Sequence, residues 1–209
     1  DKHDEVIRIR GRAAKVFTVR ATRHGPLLSD ISAELSSVGA NAAIPETTNP
    51  RPPAVAATPE RGNGYGVALA WNALEPKPTA DAIFMLDRAA NFGDFREAAR
   101  RFSSPVVNLL YADVEGNIGY QAPGDIPLRN WGHTGRVPVP GWDPKYDWTG
   151  FVDFNRLPSV LNPIEGFIVA ANQAPVPASY PHLLGSDFDY GWRAQRIRVR
   201  EVERQCGVF

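Results

Sequence analysis

Pro105-Val106-Val107-Asn108-Leu109-Leu110-Tyr111-Ala112-Asp113 runs through Val114-Glu115-Gly116-Asn117 into Ile118-Gly119-Tyr120-Gln121. Two β-rich runs, 106–113 and 118–121, flank Glu115-Gly116-Asn117, and the Gly-Asn pair reads as the turn of a hairpin. Upstream, residues 80–90 read as a helix that Thr79 can cap, with Ala82, Ile83, Phe84, Met85 and Leu86 as its apolar cluster. A second helix follows, with Asp94 at the N-cap, Glu97 three residues later, and Phe95, Ala98, Ala99 and Phe102 at i, i+3, i+4 and i+7. Ser103-Ser104-Pro105 stops it. Phe84, Met85, Phe95 and Phe102 read as core.

Farther out, residues 5–10 and 15–20 read as two strands about a turn at Gly11, with Ile7 and Ile9 alternating around Arg8. Gly25-Pro26 breaks the extended run that follows. Across 31–66 no helical or strand period survives; Pro45, Pro50, Pro52, Pro53 and Pro59 are mixed with Ala, Thr, Asn and Gly, which predicts an insertion or surface loop. Gly62-x-Gly64-x-Gly66 precedes the expected strand 67–71 instead of following one, the wrong order for a dinucleotide loop. Residues 124–163 carry six prolines together with Trp131, Trp142 and Trp148, and are expected to be ordered by packing of those rings. A short apolar strand is expected at 167–171 and a final helix at 192–204, whose arginines alternate with Glu201 and Glu203 as a solvated face.

The 209 residues include 18 Gly and 19 Pro, yet 43% are hydrophobic and 10% aromatic, enough for a core. Lys plus Arg (23) equals Asp plus Glu (23), so there is no bulk attraction for nucleic acid or anionic lipid. No apolar run is long enough to span a bilayer, and residues 1–5 do not read as a secretory leader. Cys206 is the single cysteine and reads as a spectator thiol.

Self-contained catalytic motifs are absent. His3, His24, His133 and His182 are scattered, with no H-E-x-x-H or Cys/His cluster for zinc. There is no G-x-S-x-G elbow, no phosphate-binding loop, and no defensible carboxylate pair.

A series of segments nevertheless has a common likeness. They are Arg23-His24-Gly25-Pro26-Leu27, Ala68-Leu69-Ala70-Trp71, Asn91-Phe92-x-Asp94-Phe95, Asn108-x-x-Tyr111-Ala112-Asp113-x-x-Gly116-Asn117-Ile118-Gly119-Tyr120, Val137-Pro138-Val139-Pro140-Gly141, Trp148-x-Gly150, Asn162-Pro163-x-x-Gly166-Phe167-Ile168-x-x-Ala171-Asn172 and Trp192-Arg193-x-x-Arg196-Ile197. In that order and at those spacings the chain resembles the central part of the β-chain of the penicillin acylase family of N-terminal-nucleophile hydrolases. The resemblance implies an α+β fold, part of an αββα sandwich of two antiparallel sheets flanked by helices with long Trp/Pro-rich loops, and amide hydrolysis. In that family a precursor cleaves itself into α and β chains, exposing a serine whose hydroxyl attacks the substrate carbonyl while its own α-amine acts as base.

Carried over by position, the resemblance implies that Asn172 donates its side-chain amide to the tetrahedral oxyanion. It implies that Arg193 lies close to that asparagine and orients it, and that Val107 lines the acyl pocket. His24 belongs to a family signature and reads as structural, satisfied by backbone hydrogen bonds. A structural calcium is implied for the full protein, with Asp187 and the carbonyl of Gly135 as candidate ligands; no other cofactor is required.

Asp1 is not Ser, Thr or Cys, so the nucleophile is expected to lie outside these residues. The expected partners are the α-chain, the N-terminal part of the β-chain and a small-molecule amide, with neither nucleic acid nor membrane. Alone, the segment is expected to lack activity and to leave sheet edges and apolar surface that favour association. The amide would be a β-lactam side chain, an acyl-homoserine lactone or a lipopeptide acyl group, and the location periplasmic or secreted in a bacterium. The alternative is an inactive binding or scaffold module that keeps the acylase framework.

Overall fold

The computed structural model describes residues 1–41, 65–130 and 133–206. Two units are distinguished: Asp1–Leu74 with Pro138–Trp142, and Glu75–Val137 with the residues from Asp143 on.

In the first unit, β1 (Lys2–Ile7) and β2 (Lys15–Thr22) form an antiparallel hairpin registered from Lys2↔Arg20 to Ile7↔Lys15. The expected hairpin is present, although β1 ends before Arg8, where Arg8, Arg10 and Arg12 accompany the left-handed Gly11 in the connection. The short β3 (Gly25–Pro26) pairs with β2 and completes the order β1-β2-β3. The expected strand 67–71 reduces to one bridge, Leu27↔Ala68. Its partner curls immediately into the 3-10 turn Leu28–Asp30, so the ladder cannot lengthen.

The helix α1 (Ala33–Asn41) lies inside the stretch 31–66, where no regular element was expected. Its start is local: Ser32 Oγ accepts from the Leu35 amide at 3.2 Å. The remainder of that stretch, 42–64, lies outside the described residues. Arg23 donates to the Gly141 carbonyl at 2.9 Å, and Trp142 stacks on Tyr65 with ring centroids 5.2 Å apart. The main-chain amide of His24 donates to Thr22 Oγ1 at 3.1 Å.

The second unit contains α2 (Thr79–Leu86), α3 (Phe92–Arg100), β4 (Leu109–Ala112), β5 (Ile118–Gln121), β6 (Pro127–Arg129), β7 (Trp148–Phe151), β8 (Ser159–Leu161) and α4 (Trp192–Gln205). Its sheets are β4-β5-β8 and β6-β7, all antiparallel. The central hairpin β4–β5 is the one read from 106–121. Its turn is closed by Asp113, whose Oδ1 accepts from the Glu115 and Asn117 amides at 3.0 and 2.9 Å. Residues 124–163 are more regular than expected, since β6, β7 and β8 all fall within them. Trp148 belongs to β7 and meets Phe151 edge-on.

Both helix starts differ from expectation. Thr79 is the first residue of α2 and caps nothing; its Oγ1 accepts from the Ser103 and Ser104 amides at 3.2 and 3.4 Å, tying α2 to the end of the next helix. In α3 the N-cap is Asn91, not Asp94. Asn91 Oδ1 accepts from the Asp94 amide at 2.9 Å, and Asp94 Oδ2 accepts in return from the Ala90 amide at 3.1 Å. Starting the helix three residues early lets Phe92 stack on Phe95 and tilt against Tyr111. Glu97 is left to pair with Arg100 on the surface.

Ala82, Phe95, Ala98 and Ala99 are buried between these helices and the sheet, whereas Phe84 (70% exposed) and Met85 (39%) face outward, against expectation. A second apolar group joins Ile126, Val152 and Leu157 with Leu128, Phe154 and Leu184. Gln121 is fully buried yet satisfied, accepting from Arg96 Nε at 3.0 Å and donating to the Ala122 carbonyl at 3.2 Å. Among the described residues there are four helices and three small antiparallel sheets, the α+β class that the sequence predicts.

Candidate functional site

The stretch 167–171 is apolar enough to read as a strand but pairs with none among the described residues. A side chain does the pairing instead. Gln173 Oε1 accepts from the Ala171 amide and Gln173 Nε2 donates to the Val169 carbonyl, both at 2.7 Å. This clasp turns the backbone, with Ala171 buried, and delivers Asn172 in the left-handed region at φ +67°. Asparagine is one of the few non-glycine residues that adopt this conformation readily.

The carbonyl of Asn172 accepts from the Asp189 amide at 2.8 Å. Asp189 Oδ1 accepts from the Gly191 amide at 2.9 Å, and Gly191, at φ +87°, is the residue from which α4 departs. The first turn of α4 therefore projects Arg193 back toward Asn172, and Arg193 Nη1 donates to Asn172 Oδ1 at 3.0 Å. Arginine has no acceptor, so this bond fixes which end of the amide faces it. The Nδ2 group of Asn172 has no partner among the described residues, and it is a neutral donor that needs no adjustment of protonation. Asp189 Oδ2 lies 3.9 Å from Arg193 Nη1.

A cavity of ≈ 250 Å³ lies along the same segment, lined among others by Asn108, Tyr120, Phe167, Val169, Gln173 and Arg198. Tyr120 donates to Asn108 Oδ1 at 2.5 Å, and burial pushes its phenol up to about 12, so it stays protonated at any working pH.

The structure thus brings Asn172 and Arg193 together from positions 21 apart. Val107 is half-buried ahead of β4, but the cavity wall is formed by its neighbour Asn108. Asp187 is engaged by Arg136 at 3.1 Å, and the Gly135 amide is tied to His133 Nδ1 at 3.2 Å. No group of three carboxylate, His or Cys side chains able to hold a cation exists among the described residues.

Two residues of the arrangement were not singled out from the sequence, Gln173 and Asp189. The second left a readable trace, an Asp two residues before a glycine at a helix start and four before Arg193.

Known proteins supply the class to which this chain belongs. The family model described as penicillin amidase matches residues 1–204. The chain belongs to the penicillin amidase family. It is 34% identical over 195 residues to the acyl-homoserine lactone acylase QuiP of Pseudomonas syringae pv. syringae, covering 93% of this chain. It is 31% identical over 202 residues to penicillin G acylase of Escherichia coli, covering 96% of this chain. The chain spans 20% of the length of each of these relatives. Its mixed helical and antiparallel fold resembles the thermostable penicillin G acylase from Alcaligenes faecalis, with a TM-score of 0.61, 23% identity, and coverage of 98% of this chain and 38% of that one.

Proposed function

We propose that these residues form part of a larger amide hydrolase, in which a serine hydroxyl outside this sequence attacks the carbonyl of an acyl amide. The α-amine of that serine takes the hydroxyl proton, suited to the task by a pKa of about 8. The α-ammonium so formed gives that proton to the substrate nitrogen as its bond to the carbonyl breaks, the amine leaves, the acyl group remains on the serine, and a water that passes a proton to the α-amine releases the acid and restores the hydroxyl. Asn172 Nδ2 donates to the tetrahedral oxyanion, and Arg193 holds the amide in the orientation that makes this possible.

The observation that carries this reading is the bond from Arg193 to Asn172 Oδ1, which leaves the donor end of the amide unspent. Two relatives lend the substrate class: one is named for acyl-homoserine lactones and the other for penicillin G, both amides of a carboxylic acid on a ring-bearing amine. An α-chain and the N-terminal part of the β-chain would complete the enzyme, in the periplasm or outside a bacterial cell. No helix among the described residues is long and apolar enough to cross a membrane.

The test is kinetic. In the matured full-length enzyme, Asn172→Ala should lower kcat on an N-acyl-homoserine lactone or a phenylacetyl amide by about 10²–10³, with the acyl-enzyme site intact toward an active-site titrant. Unchanged turnover would overturn the assignment. The 209-residue chain by itself should hydrolyse neither substrate.

A further inference from the structure

We propose that Asp189 is a positioning residue for the Asn172 amide, acting through Arg193; this rests on the reading of Asn172 as the oxyanion donor. Arg193 projects from the first turn of α4 with 62% of its side chain exposed, and a long cation in that setting has many rotamers. Among the described residues its one hydrogen bond is to a neutral amide oxygen. What keeps it there is the carboxylate four residues earlier, whose side chain is only 27% exposed. The two oxygens of Asp189 have separate tasks. Oδ1 is committed to the Gly191 amide at 2.9 Å, which sets the departure of α4, and Oδ2 faces Arg193 Nη1 at 3.9 Å. The Asp189 backbone adds a third link, its amide donating to the Asn172 carbonyl at 2.8 Å. One residue thus grips the asparagine by its main chain and aims the cation that orients its side chain.

This division of labour makes the charge separable from the turn. Asp189→Asn keeps an Oδ1 for the Gly191 amide and keeps the backbone link, but removes the attraction for Arg193. In the full-length enzyme it should lower kcat about five-fold, the size expected for a partly exposed ion pair, without changing KM or the melting temperature. Arg193→Met should lower kcat by at least as much, and adding Asp189→Asn to Arg193→Met should cost nothing further, because both act on the same amide. A normal kcat for Asp189→Asn, or an equal loss in the Arg193→Met background, overturns the inference while leaving Asn172 as the donor. Wild-type turnover by Asn172→Ala instead overturns the oxyanion reading and removes the inference with it.

Discussion

Gln173 lends its side-chain amide to the backbone of Val169 and Ala171, accepting from one and donating to the other at 2.7 Å each. The glutamine fills the role of a neighbouring strand over one rung. This clasp shapes the approach to Asn172 from the N-terminal side.

Replacing it should therefore be felt at the site. Gln173→Leu strands an amide and a carbonyl, which costs about 1–3 kcal/mol for each group kept from water, and should lower kcat as Asn172 loses its approach. Gln173→Glu can still accept from Ala171 but, when ionised, opposes the Val169 carbonyl. Its deficit should shrink as pH falls and the carboxyl regains a proton to donate, which a pH profile of kcat against wild type would reveal.

Acid stability should depend on Asp113. The Asn117 side chain, at 2.8 Å, is the main reason that this carboxyl lies below the usual carboxylate range, and Tyr111 and the backbone amides of Asn117 and Glu115 add to it. A lowered folded pKa means the contribution is complete above the ordinary carboxylate value and is lost as pH falls through the folded one. Asp113→Asn should flatten the dependence of the melting temperature on pH in that acid window. Tyr111, pushed up to about 12 chiefly by its bond to Asp113, keeps its proton where an unfolded tyrosine loses it, so its contribution is complete below the ordinary phenol value and is lost as pH rises toward the folded one.

Two glycines should refuse alanine for different reasons. At Gly25, with φ +128°, a Cβ would sit 2.1 Å from the Leu69 carbonyl oxygen, so backbone must move. At Gly119 it would sit 2.4 Å from Phe92 Cε2, and the ring can yield only by leaving Phe95 and Tyr111. Denaturant titration should show a loss of about 1–3 kcal/mol for Gly119→Ala, and a larger one for Gly25→Ala.

Thr79 offers a stability test remote from the chemistry. Thr79→Val keeps the shape but leaves the Ser103 and Ser104 amides without their acceptor, and should cost about 1–3 kcal/mol with no change in kcat. Thr79→Ser, which retains the oxygen, should recover most of it.

What could be read beforehand divides along physical lines. The β4–β5 hairpin was legible because its runs, turn residues and pairing are all contiguous. The start of α3 was ambiguous, because Asn91-x-x-Asp94 and Asp94-x-x-Glu97 are overlapping capping patterns, and only the stacking of Phe92 selects the first. Residues 167–171 have the composition of a strand, but composition does not reveal whether a partner is present; here Gln173 stands in. Phe84 and Met85 read as core by residue type, whereas the buried position on α2 belongs to Ala82. Asn172 and Arg193 could be paired only through family likeness, since nothing in either's neighbours announces the other. Asp189 was hidden because its work depends on geometry between the turn and the helix.

The bond from the Asp189 amide to the Asn172 carbonyl also cinches a purse-string around the intervening segment. Closing such a loop becomes only slowly harder as it lengthens, so residues between Gln173 and Tyr180 can be added, deleted or exchanged while the mouth of the purse keeps its shape. That segment is where new side chains could be grafted beside the cavity while the clasp between Asn172 and Asp189 stays closed.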